Sequence, residues 1–153
     1  WNLQYISSFD DYQGDDNIVG VDVRKPDNLC AGPWKFIQAP AHEIPLADSS
    51  FDLVFTMGTL IHIPPEALDQ VYREFLRVSS KYILLAEYFA PGAPQPRSWR
   101  GYEGALWVGD FGGGLLNQAA ISGIRLKVID YGHIFKSLGH YDDLAWWVFE
   151  KVE

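Results

Sequence analysis

Gly20-Val21-Asp22 lies at the end of an apolar, β-branched run, Asn17 to Val23. A carboxylate has two oxygens, enough to accept both hydroxyls of a ribose. An acid at the carboxyl end of a buried strand also stands where open α/β sheets bind ligands. The same acid would serve equally to cap the turn that follows it. His62 falls between an apolar run and a helical segment. Imidazole exchanges protons near neutral pH and suits a general base; a structural histidine bonded to a nearby carbonyl is the other reading. Arg100 is surrounded by Trp99, Tyr102 and Trp107. Together they would make an aromatic, cation-bearing platform for a sugar or an acid, or the rings simply pack the loop onto the sheet. The planar fork of the Arg100 guanidinium suits a carboxylate or phosphate on a small-molecule substrate. His42, His133 and His140 have no metal-ligand spacing and Cys30 is the one cysteine, so no metal site is expected.

These residues need a scaffold, and the apolar pattern supplies one. Asn17 to Val23, Phe51 to Thr56 and Lys81 to Glu87 are near-continuous apolar runs, which fit parallel strands buried on both faces. Phe36 to Gln38 reads as a short strand, and Leu3 to Ile6 as a first one. Pro64-Pro65 starts a helix over 65–78, with Leu68, Val71, Tyr72, Phe75 and Leu76 in one stripe. Strand, helix and parallel strand make a right-handed βαβ unit. Ala90 to Ser98 is proline-rich and reads as a long loop without regular structure. Asp110 to Ala120 reads as a short helix weakened by Gly112-Gly113-Gly114. Arg125 to Tyr131 and Ala145 to Val152 read as closing strands, with one ring of Trp146-Trp147 in the core.

With 153 residues the chain has the length of a single domain, 1–153, able to hold a core. Its net charge of −8 argues against a nucleic-acid backbone or an anionic membrane surface as the main partner. No apolar run approaches the ~20 residues needed to span a bilayer. One thiol, Cys30, forms no internal disulfide and fits a reducing, cytoplasmic compartment. Nothing in the sequence assigns an oligomeric state.

Gly20-Val21-Asp22, the block Ile44-Pro45-Leu46-Ala47-Asp48-Ser49-Ser50-Phe51-Asp52-Leu53-Val54, and Leu60-Ile61-His62-Ile63 with Pro65 resemble the class I S-adenosylmethionine-dependent methyltransferases. Met57-Gly58-Thr59, Glu87-Tyr88, Arg100-Gly101 with Asp110-Phe111, and Asp142-Asp143-Leu144-Ala145-Trp146 resemble, more narrowly, the pseudaminic acid biosynthesis-associated methylases, found alongside bacterial surface-sugar genes. The resemblance implies a Rossmann-like, mainly parallel sheet with an antiparallel last strand, reduced here on its N-terminal side. It implies S-adenosylmethionine as cofactor over the strand ends. By motif position Asp22 would hold the ribose, Ala41, His42, Glu43 and Ile44 would flank the adenine, and Met57, Gly58 and Thr59 would line the methionine side. Glu87 and Tyr88 would face the substrate and, with His62, supply the base; Arg100 and Tyr102 would meet the acceptor. The implied reaction is methyl transfer to a hydroxyl or amine of a small molecule, such as a sugar. Two positions depart from the family pattern. Ser7 to Gly14 holds one glycine where a glycine-rich loop is the rule, and Pro40 stands where an acid is frequent. They motivate a second expectation, a domain without cofactor binding that serves as an interaction or assembly module.

Overall fold

The computed structural model describes residues 18–25, 35–138 and 143–152. Leu3 to Ile6, the Ser7 to Gly14 segment, Cys30, His140 and Asp142 lie outside the described residues. The chain divides into two compact units, Trp1–Pro45 and Leu46–Glu153.

In the first unit, β1 (Val19–Asp22) and β2 (Lys35–Gln38) pair in parallel, with Asp22 opposite Gln38. Parallel neighbours require a crossover between them. The ladder continues past the strand end, where Ala39 N donates to Asp22 O at 3.1 Å.

The second unit is built on a four-stranded sheet of order β3-β4-β8-β7: Phe51–Met57, Ser79–Tyr88, Leu144–Val152 and Arg125–Ile134. β3 and β4 are parallel and joined by α1 (Pro65–Val78), the expected βαβ unit with the helix at the expected bounds. Pro65 opens α1 because proline presets the helical φ where no N–H is needed. Leu68, Val71, Tyr72, Phe75 and Leu76 form its buried stripe. β8 is antiparallel to both neighbours and lies between β4 and β7, so the fold is α/β and Rossmann-like, with the expected antiparallel C-terminal strand.

Both helices cover the same face of this sheet. Trp147, on β8, lies against α2 (Phe111–Ile121), where a Cβ on Gly112 would run into its indole. Lys151, on the same face of β8, reaches the carbonyls of Leu76 and Ser79 at the end of α1 at 2.9 and 2.7 Å. The glycine run that weakens α2 as an isolated helix is therefore what lets it pack: at Gly114 a Cβ would lie 2.8 Å from the Tyr72 hydroxyl. Asp110 caps the helix by accepting from Gly113 N at 2.8 Å.

Two expectations are corrected. β3 is not buried on both faces: Leu53 and Met57 are 44% and 52% exposed, because they point away from the face that the two helices cover. Ala90 to Ser98 is not all loop. β5 (Gln95–Trp99) and β6 (Tyr102–Val108) form an antiparallel hairpin. Pro96 is tolerated because β5 has a partner on one side only, so the missing N–H costs no ladder bond. Arg100 and Gly101 form its two-residue loop with φ of 49° and 86°, the signs of a type I′ turn, whose twist matches that of the flanking strands.

Candidate active site

At the carboxyl end of β1, Asp22 is exposed and its Oδ1 accepts from Arg24 N at 2.9 Å. The carboxylate thus caps the following turn through one oxygen. Ala41 and His42 make a turn in which Glu43 N donates to Pro40 O at 3.1 Å, and Ile44 is buried.

At the carboxyl end of β3 in the second unit, Gly58 N continues the ladder to Ala86 O at 2.9 Å, and the chain then turns sharply. Gly58 has φ of 60°, a left-handed conformation natural to glycine. Among the described residues no atom lies within 4 Å of where its Cβ would be, so on their side this backbone is open to a close approach. Thr59 is exposed, and Leu60–His62 form a single 3-10 turn. His62 is exposed at its end, and its ring makes no hydrogen bond among the described residues.

The turn is held from below by Glu87. Expected to face a substrate, this side chain is instead wholly buried. Its Oε1 accepts from Thr59 N and its Oε2 from Leu60 N, both at 3.1 Å. Strand alternation accounts for the inward direction: Glu87 lies on the same face as Leu85 and Ile83, both buried without exposure. Burial pushes the carboxyl up to about 7, opposed by the nearby Thr56 side chain and by the backbone N–H groups of Thr59, Leu60 and Ile61. The Thr56 hydroxyl is near enough to favour the charged form, yet makes no hydrogen bond of ordinary length and angle. Burial also pushes the Tyr72 phenol well above its usual range, helped by the charges of Glu87, Asp110 and Asp69.

Tyr88 alternates to the other side. It contacts Trp99 of the hairpin, with ring centroids 6.4 Å apart. Both line a cavity of about 290 Å³ with Phe89, Arg97, Lys136 and Asp143. β6 packs against the Leu60–His62 turn, and Leu106 and Val108 are buried, so the hairpin stands at the carboxyl end of β3 and β4. Arg100 is at its tip, with Cζ 5.7 Å from the Trp99 ring. Tyr102, across the turn, is 74% exposed. Neither lines the cavity, whereas Arg97 does. Arg97 escaped the sequence reading because its segment passed for a structureless loop; its pairing with Leu106 sets it on the cavity side of the hairpin, where it stays exposed.

A larger groove of about 720 Å³ lies at the opposite end of the sheet. Most of its charges are already engaged; Arg73, which also lines it, makes no hydrogen bond or ion pair among the described residues. Arg77 bonds both Glu74 oxygens at 2.8 Å, and Leu46 O and Asp48 at 2.7 Å. Among the described residues no cluster of three acidic, histidine or cysteine side chains is arranged to hold a metal. Among the same residues no helix is long and apolar enough to cross a membrane.

Residues 4–82 match the methyltransferase domain family. The chain belongs to the class I S-adenosylmethionine-dependent methyltransferases. It is an S-adenosylmethionine-dependent methyltransferase, with S-adenosylmethionine as methyl donor. Its fold is shared by solved structures at low identity. A methyltransferase from Methanosarcina mazei superposes with a TM-score of 0.65 at 14% identity, covering 99% of this chain and 86% of the other. A 1,6-didemethyltoxoflavin N1-methyltransferase from Burkholderia thailandensis, solved with its substrate and S-adenosylhomocysteine, gives 0.65 at 13%, covering 90% of this chain and 62% of the other. A methyltransferase from Aquifex aeolicus gives 0.61 at 16%, covering 98% and 76%. No curated protein matches the chain.

Proposed function

We propose that the methyltransferase acts on a hydroxyl or amine of a small molecule, bound in the cavity between Tyr88 and the β5–β6 hairpin. The observation that carries this reading is the placement of that cavity at the same end of the sheet as the open Gly58 backbone. The small-molecule substrate of the Burkholderia structure supports the acceptor class. The resemblance of Glu87-Tyr88 and Arg100-Gly101 to the pseudaminic acid-associated branch supports a sugar. The family match runs across both compact units and supports one domain. The single cysteine supports a cytoplasmic setting.

The residues present fit the cofactor. Gly58 offers backbone without a side chain, Met57 offers a half-exposed apolar surface, and Asp22 keeps one carboxylate oxygen outside its turn bond. Asp22 would hold the ribose, Ala41 to Ile44 the adenine, and Met57, Gly58 and Thr59 the methionine portion. When bound, S-adenosylmethionine supplies an electrophilic methyl group. The chain's part is to align the acceptor atom and take its proton, and alignment does most of that work. Tyr88, at the cavity wall, would receive the proton; exposed His62, which does not line the cavity, is the other candidate base. Glu87 acts through the turn that it holds rather than on the acceptor. Arg100 and Tyr102, at the hairpin tip and outside the cavity lining, would meet the acceptor only where it extends beyond the cavity.

Calorimetric titration with S-adenosylhomocysteine tests the reading. Asp22→Ala should weaken binding tenfold or more, since a hydrogen bond to a charged group contributes about 1.5–3 kcal/mol. Unchanged affinity removes Asp22 from the site. No binding by the parent chain would favour the interaction-module reading.

A further inference from the structure

We propose that the acceptor carries a carboxylate or phosphate group, and that Arg97 receives it. The proposal rests on reading the cavity as the acceptor site.

Arg97 pairs with Leu106 across the hairpin, so the two side chains share a face, and both line the cavity. Leu106 is buried and fixes which face that is. The Arg97 guanidinium makes no hydrogen bond or ion pair among the described residues. Arg77, at the other end of the sheet, uses its whole fork on internal acceptors. Arg97 is exposed, so its planar fork, without an internal acceptor at the lining of a ligand-sized cavity, is accessible to an oxyanion. Tyr88, Phe89 and Trp99 supply an aromatic wall beside it.

Asp143 and Lys136 line the same cavity, and Asp143 Oδ1 accepts from Lys136 N at 3.0 Å. At long range the net charge of −8 repels anions, so anion affinity has to come from direct contact.

The test uses three hydroxylated rings that differ in charge: glucuronate, glucose 6-phosphate and glucose. Each is titrated into the full chain, with and without S-adenosylhomocysteine, while the Trp99 indole and Arg97 Nε–H signals are followed by ¹⁵N NMR. At least one anion should shift both signals saturably while glucose does not. A response to one anion alone identifies carboxylate or phosphate as the group read. Arg97→Gln should weaken that anion tenfold or more. Arg125→Gln, the same charge loss at the far end of the sheet, should leave it unchanged. Equal binding of glucose, equal effects of the two substitutions, or no saturable shift with either anion overturns the proposal. Anion binding that persists in a chain deaf to S-adenosylhomocysteine would instead overturn the cofactor reading alone.

Discussion

The two ends of the four-stranded sheet are made of similar residues used in opposite ways. At the amino end, Arg77, Glu74, Asp48 and Lys151 border the larger groove and have internal partners, while Arg73 beside them makes no hydrogen bond or ion pair among the described residues. Lys151 bonds the carbonyls of Leu76 and Ser79 at the C-terminus of α1, where the helix dipole favours cations, and Arg77 bonds Leu46 O in the segment before β3. At the carboxyl end, Gly58 and Arg100 hold left-handed backbone, Glu87 is buried as an acid, and exposed Arg97 lines a smaller cavity without an internal acceptor among the described residues. Size alone would choose the wrong groove. What separates the ends is that a dense ion-pair network occupies the amino end, Arg73 apart, while the carboxyl end combines left-handed backbone with a cavity lined by Arg97.

The largest expected effect breaks the carboxyl end at its anchor. Glu87→Ala leaves the N–H groups of Thr59 and Leu60 without their acceptor and opens a cavity. The loss should be roughly 2–5 kcal/mol in urea unfolding, since each buried N–H left unsatisfied costs about 1–3 kcal/mol. The parent chain carries a related pH signature. Glu87 titrates near 7 when folded and near 4.5 when unfolded. The folded form therefore holds the extra proton in that interval. Its contribution to stability is full below about 4.5 and is lost as pH rises through about 7. The decline should be on the order of 3 kcal/mol, and Glu87→Gln should flatten it. A flat profile in the parent chain would mean that the carboxyl is better solvated than its burial implies.

At the amino end the matching test separates stability from function. Arg77→Ala should cost about 1–2 kcal/mol, because a bidentate pair is lost from a partly exposed site. It should leave S-adenosylhomocysteine affinity unchanged by calorimetry. A loss of affinity would dissolve the contrast between the two ends. The smallest effect is at the hairpin tip. Arg100→Gly relieves a left-handed non-glycine residue, which costs roughly 1–2 kcal/mol in the general case, and gives up the Trp99 contact, worth about 0.5–1 kcal/mol. The net change in melting temperature should be a slight rise; a clear fall would show that the Trp99 contact outweighs the strain.

Much of this architecture was legible in the chain. Pro64-Pro65 followed by a stripe at helical spacing gave α1 its bounds, and the runs through Phe55 and Leu84 announced the parallel pair. The antiparallel end strand came with the family resemblance. The hairpin was hidden for two physical reasons. Pro96 reads as a strand breaker unless the strand is known to have one partner, and the I′ turn is carried by Arg-Gly in place of the usual Asn-Gly or Asp-Gly. Glu87 misled differently. An acid at a strand end looks ligand-facing, and only the count of alternation from Ile83 and Leu85 shows that it points inward. The glycine run in α2 showed its helix cost in sequence, while the neighbours that require it, Trp147 and Tyr72, are distant along the chain.

The position of β8 bears on how the sheet is assembled. It joins β4 and β7 but follows both in the chain, so during synthesis each of those strands is made before the partner that will separate them. Until β8 arrives, β4 and β7 present open ladder edges toward each other, the kind of surface that recruits another chain. A product ending before Leu144 would keep those edges and lose the buried Trp147 and Phe149. Premature termination in this protein should therefore yield aggregates rather than a trimmed enzyme.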